Sequence, residues 1–278
     1  MLDKITATVL VDNVGTETLG GEWGLSVYIQ AGEKTILLDA GGSELFARNA
    51  EKLGLSIADV DYAVLSHAHY DHSLGMAEFF RLNRTAKFYV RESTAENCYG
   101  RRWIFRRYIG LPKHILSDYA DRIETVSGDY RLTDDVYLIP HHTPGLDAIG
   151  RREQMARKVG WRLVPDDFSH EQSLVFDTSA GLVIFNSCSH GGAAAIIREV
   201  SAVLPGRPVC ALVGGLHLFN KTDEEIRAFA AAVRETGITR LCTGHCTKER
   251  ALGILREELG GVAEGFRVGY TMEFGKTE

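Results

Sequence analysis

The feature that most constrains this chain is one short stretch, Ser66-His67-Ala68-His69-Tyr70-Asp71-His72. Four potential metal ligands, three histidines and an aspartate, fall within six residues of it. Imidazole nitrogens and carboxylate oxygens are donors that zinc, iron and manganese accept. In extended backbone, residues two apart share a side, so His67 and His69 can aim both rings the same way. A turn or helix start at Asp71-His72 then aims two further donors at a second ion. The preceding run, Asp61-Tyr62-Ala63-Val64-Leu65-Ser66, has a buried-strand pattern. Sites in α/β proteins commonly lie at the C-terminal ends of strands. A polar loop that merely held three of the chain's 10 histidines would gain nothing from this placement. It would also carry like-charge repulsion at mildly acidic pH.

The rest of the chain reads as alternating strands and helices. Val9 to Asp12, Leu25 to Gln30 and Thr35 to Asp39 are expected strands, the last leaving through Gly41-Gly42. A helix is expected over 43–53, with Ser43 as N-cap and Gly54 as stop. A helix over 76–82 and a strand over 86–90 follow. In the second half, 173–177 and 182–186 flank a hairpin-like turn at Ser179-Ala180-Gly181. Helices are expected over 193–203, 223–235 and 248–259, with strands over 209–213 and 238–242. This alternation favours helices packed outside sheets. No short-period repeat and no Pro- or Ser-rich linker interrupts it, so one domain is expected over 1–278. Two irregular segments, about 91–120 and 145–170, are expected lids or insertions, the first with helical pieces.

Charge and composition narrow the class. A net charge of −6 argues against a nucleic-acid surface. Arg101, Arg102, Arg106 and Arg107 form a local basic cluster around Trp103. It reads either as a solvated helix face or as an anion-binding patch near a substrate entrance. No stretch reaches the ~18 apolar residues that span a bilayer, and the first dozen residues lack the apolar core of a signal peptide. Five cysteines, an odd count, imply no disulfide framework. The expectation is a cytoplasmic protein acting on a small-molecule substrate, with neither nucleic acid nor membrane as partner and with its oligomeric state open.

His67-Ala68-His69-Tyr70-Asp71-His72 resembles the H-x-H-x-D-H signature of the metallo-β-lactamase superfamily. Ile36-Leu37-Leu38-Asp39-Ala40-Gly41 looks like the strand that precedes that signature. Val11-Asp12-Asn13, Gly24-Leu25-Ser26, Ser187-Cys188-Ser189-His190, Gly214-Gly215-Leu216-His217-Leu218 and Gly244-His245-Cys246-Thr247 are similar to one branch, the dihydropterin-ribofuranosyl-aminobenzene-phosphate synthase-like proteins. The resemblance spans nearly the whole chain. It implies an α/β fold of the αββα type, a sandwich of two mixed sheets with helices on the outer faces. It also implies a dinuclear centre of two divalent metal ions, zinc first, with iron or manganese as alternatives.

By the same resemblance His190 and His245 join His67, His69, Asp71 and His72 as metal ligands. Both also follow expected strands. Asp71 would in addition orient a water nucleophile, and His217 would touch substrate, donate a proton or simply pack behind the site. The chain departs from the commoner pattern twice. Thr143-Pro144-Gly145 is followed by Leu146 where many members carry histidine, and Cys188 stands about where many carry a bridging aspartate. Cys188 is then either a metal-binding thiolate or a buried, inert cysteine. His170 is a candidate to enter the site from the 145–170 loop. Asp39 is read as a carboxylate that orients a ligating histidine. His114, His141 and His142 are read as structural or exposed.

The implied activity is metal-dependent hydrolysis of an ester-, amide- or phosphoester-type bond. The branch suggests a synthase-like transferase as the rival. A non-catalytic metal- or ligand-binding protein on the same fold is a third reading. A di-iron oxidoreductase is disfavoured, because His69 stands where such proteins usually carry glutamate and no flavin domain is present.

Overall fold

A computed structural model describes residues 1–102 and 105–276. Two seven-stranded sheets face one another. The first runs Thr271–Gly275, Lys4–Val11, Ser26–Ala31, Lys34–Leu38, Tyr62–Val64, Lys87–Arg91, Ile123–Val126. The second runs Ala263–Gly265, Arg240–Thr243, Val209–Gly214, Gly181–Phe185, Gln172–Thr178, Val136–Pro140, Tyr130–Thr133. Both sheets are mixed. Lys34–Leu38, Tyr62–Val64 and Lys87–Arg91 pair in parallel, as do Gly181–Phe185, Val209–Gly214 and Arg240–Thr243.

Side-chain alternation explains the layers. Val27, Ile29, Ile36 and Leu38 point between the sheets, where they meet Phe176, Val183 and Phe185. Their neighbours Tyr28 and Leu37 point outward, against Phe46 and Phe79 of helices Leu45–Lys52 and Met76–Leu82. Leu182 and Ile184 likewise point outward, against helices Ala193–Val203, Asp223–Arg234 and Lys248–Leu259. A strand covered on both faces must be apolar at every position, which is why 182–185 reads as a continuous apolar run. Each fully buried Phe contributes about 2–3 kcal/mol by area removed from water.

The two irregular segments are built mainly of strands, beside the short helices Ile115–Asp118 in the first and Asp147–Arg152 in the second. Cys98–Arg102 pairs antiparallel with Phe105–Tyr108, and Met155–Val159 with Arg162–Pro165. Cys98–Arg102 also pairs with Met155–Val159, so the segments join in one four-stranded sheet. The basic cluster is therefore not a helix face, and its Trp103 lies outside the described residues. Backbone alternation, not helical periodicity, spaces Arg101, Arg106 and Arg107. Helix Leu45–Lys52 begins after Glu44 rather than Ser43, whose Oγ accepts the Leu45 N–H at 3.1 Å. No helix among the described residues is long and apolar enough to cross a membrane.

Candidate metal centre

Parallel strands of both sheets end at one edge of the sandwich, and the expected site residues follow those ends. His67 follows Tyr62–Val64, His190 follows Gly181–Phe185, His217 follows Val209–Gly214 and His245 follows Arg240–Thr243. Asp39 follows Lys34–Leu38. Turns this sharp demand unusual backbone. Asp39, Phe168, Ser189, His217 and His245 all take left-handed φ between 49° and 58°. Non-glycine residues adopt that region at a cost, and such outliers cluster at functional sites.

The structure brings the expected donors into two neighbouring groups. His67, His69 and His190 place ligand nitrogens within 4.8 Å of one another. Asp71 Oδ2 lies 3.8 Å from His72 Nε2 and 3.6 Å from His245 Nε2. All six residues are buried. Cys188 lies between the groups, its Sγ 3.4 Å from His72 Nε2. His217 packs on His190, with ring centroids 4.5 Å apart.

Polar partners behind the rings fix their orientation. The Asp39 carboxylate accepts the Ser66 N–H at 2.7 Å, the Ser66 hydroxyl at 2.7 Å and His72 Nδ1 at 2.8 Å. Ser66 Oγ also lies 2.8 Å from His67 Nδ1. Asn13 Oδ1 is 3.2 Å from His245 Nδ1, and Asp12 accepts the His245 N–H at 2.6 Å. The buried Glu171 carboxylate accepts the His190 N–H at 3.1 Å. Phe168 stacks on the His190 ring at 4.5 Å and 5°.

Burial among other imidazoles makes a charged ring costly here. Burial and the neighbouring His170 bring His69 down to about 3, and burial brings His245 to about 3. Burial likewise holds His67 and His190 well below the usual histidine range. His72 is the exception: Asp71 and Asp39 overcome its burial and push it up to about 9. Neutral imidazole is the form that binds a metal.

Among the described residues, Nε2 of His67, His69, His190 and His245 is buried without a hydrogen-bond partner. Each such atom costs about 1–3 kcal/mol unless something accepts its lone pair. Four such atoms converging could hold cations, and the N/O/S donor set fits divalent ions of the zinc type.

His170 lies outside these two groups, in a separate set of close donors with His69, Cys98 and Asp166. Its Nδ1 accepts the Ala68 N–H at 3.2 Å and its Nε2 faces Asp166 at 3.2 Å, so both nitrogens are engaged. Leu146 is a buried residue at the start of helix Asp147–Arg152. His141 is clamped between Glu171 and Glu199, His142 pairs with Asp129 on the surface, and His114 precedes the short helix Ile115–Asp118. Three residues escaped sequence reasoning. Asn13 sits within a stretch already noted for resemblance. Glu171 adjoins His170 but gave no signal of its own. Glu153, a partly buried residue whose carboxylate pairs with Lys221, comes within 3.8 Å of His217 Nε2.

A cleft of about 240 Å³ opens onto the donors and is bordered by Trp23, Tyr70, Arg101, Met155 and Phe219. The four-stranded sheet contributes Gly100, Arg101 and Met155 to its wall.

Residues 20–154 match the family model described as the metallo-beta-lactamase superfamily. The chain is 25% identical, over 95% of its length and 98% of the relative's, to the 7,8-dihydropterin-6-methyl-4-(beta-D-ribofuranosyl)-aminobenzene-5'-phosphate synthase of Methanocaldococcus jannaschii. The crystal structure of Tm1679, described as a metal-dependent hydrolase of the beta-lactamase superfamily, superposes with a TM-score of 0.83 at 25% identity, covering 98% of this chain and 100% of that one. A diphosphatase of the PhnP family shares the fold at a TM-score of 0.54 and 16% identity, covering 99% and 98%. With its αββα sandwich and its strand-end histidines, the chain has the metallo-β-lactamase fold and over residues 20–154 is similar to members of that superfamily.

Proposed function

We propose that the protein is a metal-dependent hydrolase of a small molecule carrying an ester-, amide- or phosphoester-type bond. In this reading His67, His69 and His190 hold one divalent ion, and Asp71, His72 and His245 hold the other. The observation that carries it is the convergence of buried, unpartnered Nε2 atoms on the floor of a cleft. The name of Tm1679, similar along its whole length, points the same way.

Bound divalent ions supply Lewis acidity and make water a nucleophile near neutral pH. The protein's own groups do the rest. Asp39, Ser66 and Asn13 hold His72, His67 and His245 so that Nε2 of each faces the centre. Asp71 presents a carboxylate at the cleft floor that can orient an attacking water. His217 lines the cleft with both ring nitrogens buried and unpartnered, so it can hand a proton to a leaving group. Glu153 stands behind that ring, its carboxylate 3.8 Å from Nε2. Exchanging both His67 and His69 for Ala is expected to remove the ion they hold with His190, roughly halving bound zinc by elemental analysis, and to abolish hydrolysis across an ester, lactone and phosphodiester panel. Full turnover by the double variant would reject the assignment.

A second reading, a synthase joining a dihydropterin to a ribofuranosyl-aminobenzene phosphate, is favoured by the curated relative that aligns over 95% of the chain. The aromatic mouth of the cleft suits ring-bearing substrates, with Trp23 and Phe219 packed edge to face at 5.9 Å. Formation of the coupled product from the two substrates would select this reading. Turnover of panel esters alone would select hydrolysis.

A further inference from the structure

Two sulfurs lie against the metal centre. Cys188 Sγ belongs to three donor sets at once, each with all its ligand atoms within 4.8 Å: with His67 and His72, with His190 and His217, and with His245 and Cys246. Those sets draw on both proposed ion positions, so the sulfur stands between them. Its distances are those of shared coordination. Around one tetrahedral zinc, with Zn–S near 2.3 Å and Zn–N near 2.0–2.1 Å, nitrogen and sulfur donors lie about 3.6 Å apart and two sulfurs about 3.8 Å. Cys188 Sγ is 3.4 Å from His72 Nε2 and 3.6 Å from Cys246 Sγ. His72 already commits Nδ1 to Asp39, which leaves Nε2 to face the sulfur.

Both sulfurs are held by backbone shaped around them. Asn186 accepts the Ser189 N–H at 2.8 Å and donates to Ser173 Oγ at 3.0 Å, fixing the turn that carries Cys188 and His190. Cys246 Sγ accepts the His217 N–H at 3.2 Å. A Cβ at Gly215 would come within 2.5 Å of that sulfur, so only glycine lets the chain close over it. Both cysteines border the cleft.

We propose that Cys188 supplies a bridging thiolate to the two ion positions and that Cys246 adds a second sulfur to the position held by Asp71, His72 and His245. This rests on the metal-centre reading above. It makes the centre softer than one bridged by a carboxylate, favouring zinc, cobalt and cadmium over manganese and magnesium.

Anaerobic titration of the full chain with Co²⁺ tests it through the thiolate-to-cobalt charge-transfer absorption in the near ultraviolet. The wild type is expected to bind about two ions per chain and to show that band. C246S should keep the ions and lose part of the band. C188S should lose most of the band and bind its second ion at least tenfold more weakly. Cys188→Asp should restore the second ion with an oxygen bridge while the band stays low. This last variant keeps the test decisive if the serine variant fails to fold, as judged by circular dichroism. Two cobalt ions bound without a thiolate band overturn the sulfur proposal and leave the metal centre standing. A band unchanged in C188S overturns the bridge, and one unchanged in C246S overturns the second sulfur. No cobalt bound at all overturns the metal-centre reading and the sulfur proposal with it.

Discussion

Asp39 carries more of the site than its place behind the histidine rings suggests. A buried carboxylate is expensive unless its oxygens are filled, and here three donors fill them: the Ser66 N–H, the Ser66 hydroxyl and His72 Nδ1. Through Ser66 the same carboxylate reaches His67, so one acid fixes a ring in each proposed ion position. Replacing Asp39 by Asn keeps the volume but puts an N–H₂ where an acceptor is needed. The expected result is a metal affinity about 10–100-fold weaker, read by competition with a chromogenic chelator. An unchanged affinity would make Asp39 a purely structural group. At this scale the convergence of side chains was legible where they are contiguous or stand at a strand exit, as with His67, His69, Asp71, His72 and Asp39. It was illegible where a residue acts only after the chain has closed. Asn13 meets His245 across 232 residues, and Glu153 meets His217 only because the segment carrying it folds over the cleft. His170 shows the converse, a histidine in a site loop whose nitrogens are both taken by Asp166 and Ala68.

Among the elements, apolar periodicity set what could be foreseen. Helices 76–82, 193–203 and 248–259 lie where their periodicity places them, and Thr222 with Glu225 closes a capping box at Asp223–Arg234. The segments near 91–120 and 145–170 misled because their short strands carry Arg, Tyr and Gly rather than β-branched residues, and their pairing partners lie some fifty residues apart. One junction makes a measurable prediction. His141, just past strand Val136–Pro140, is buried between Glu171 of the site loop and Glu199 of helix Ala193–Val203. Those two carboxylates overcome burial and push His141 up to about 9. A histidine with a folded pKa above its unfolded 6.5 contributes stability fully present below 6.5 and lost as pH rises through about 9. The melting temperature should therefore fall between pH 7 and 9.5, and His141→Gln should flatten that fall while lowering stability at pH 6.5. A slope unchanged in the variant would assign the pH dependence elsewhere.

The whole molecule is two sheets pressed together by apolar side chains, and the proposed ions join them at one edge. His67, His69, Asp71 and His72 come from the exit of a strand in the first sheet, whereas His190 and His245 come from strands of the second. Any ligand that binds the folded chain and not the unfolded one stabilises it by RT ln(1 + [L]/Kd), about 4 kcal/mol at a thousandfold excess over Kd. The effect should be large here for a second reason. Without cations the unpartnered nitrogens are a standing cost to the folded state, so binding relieves that cost as well as closing the edge. For a chain of this size about 4 kcal/mol corresponds to roughly 10 °C. Dialysis against a chelator is therefore expected to lower the melting temperature by about that amount, and added zinc to restore it. The variant lacking both His67 and His69 should show a smaller response, since one of the two proposed ion positions is lost while the other keeps Asp71, His72 and His245. Limited proteolysis gives an independent reading of the same linkage. Opening the sandwich at this edge exposes the 186–192 and 214–219 turns, so cleavage there should speed up on chelation while the far edge of the sheets stays protected. Cleavage spread evenly over the chain would mean that the ions stabilise the fold without stapling its two halves.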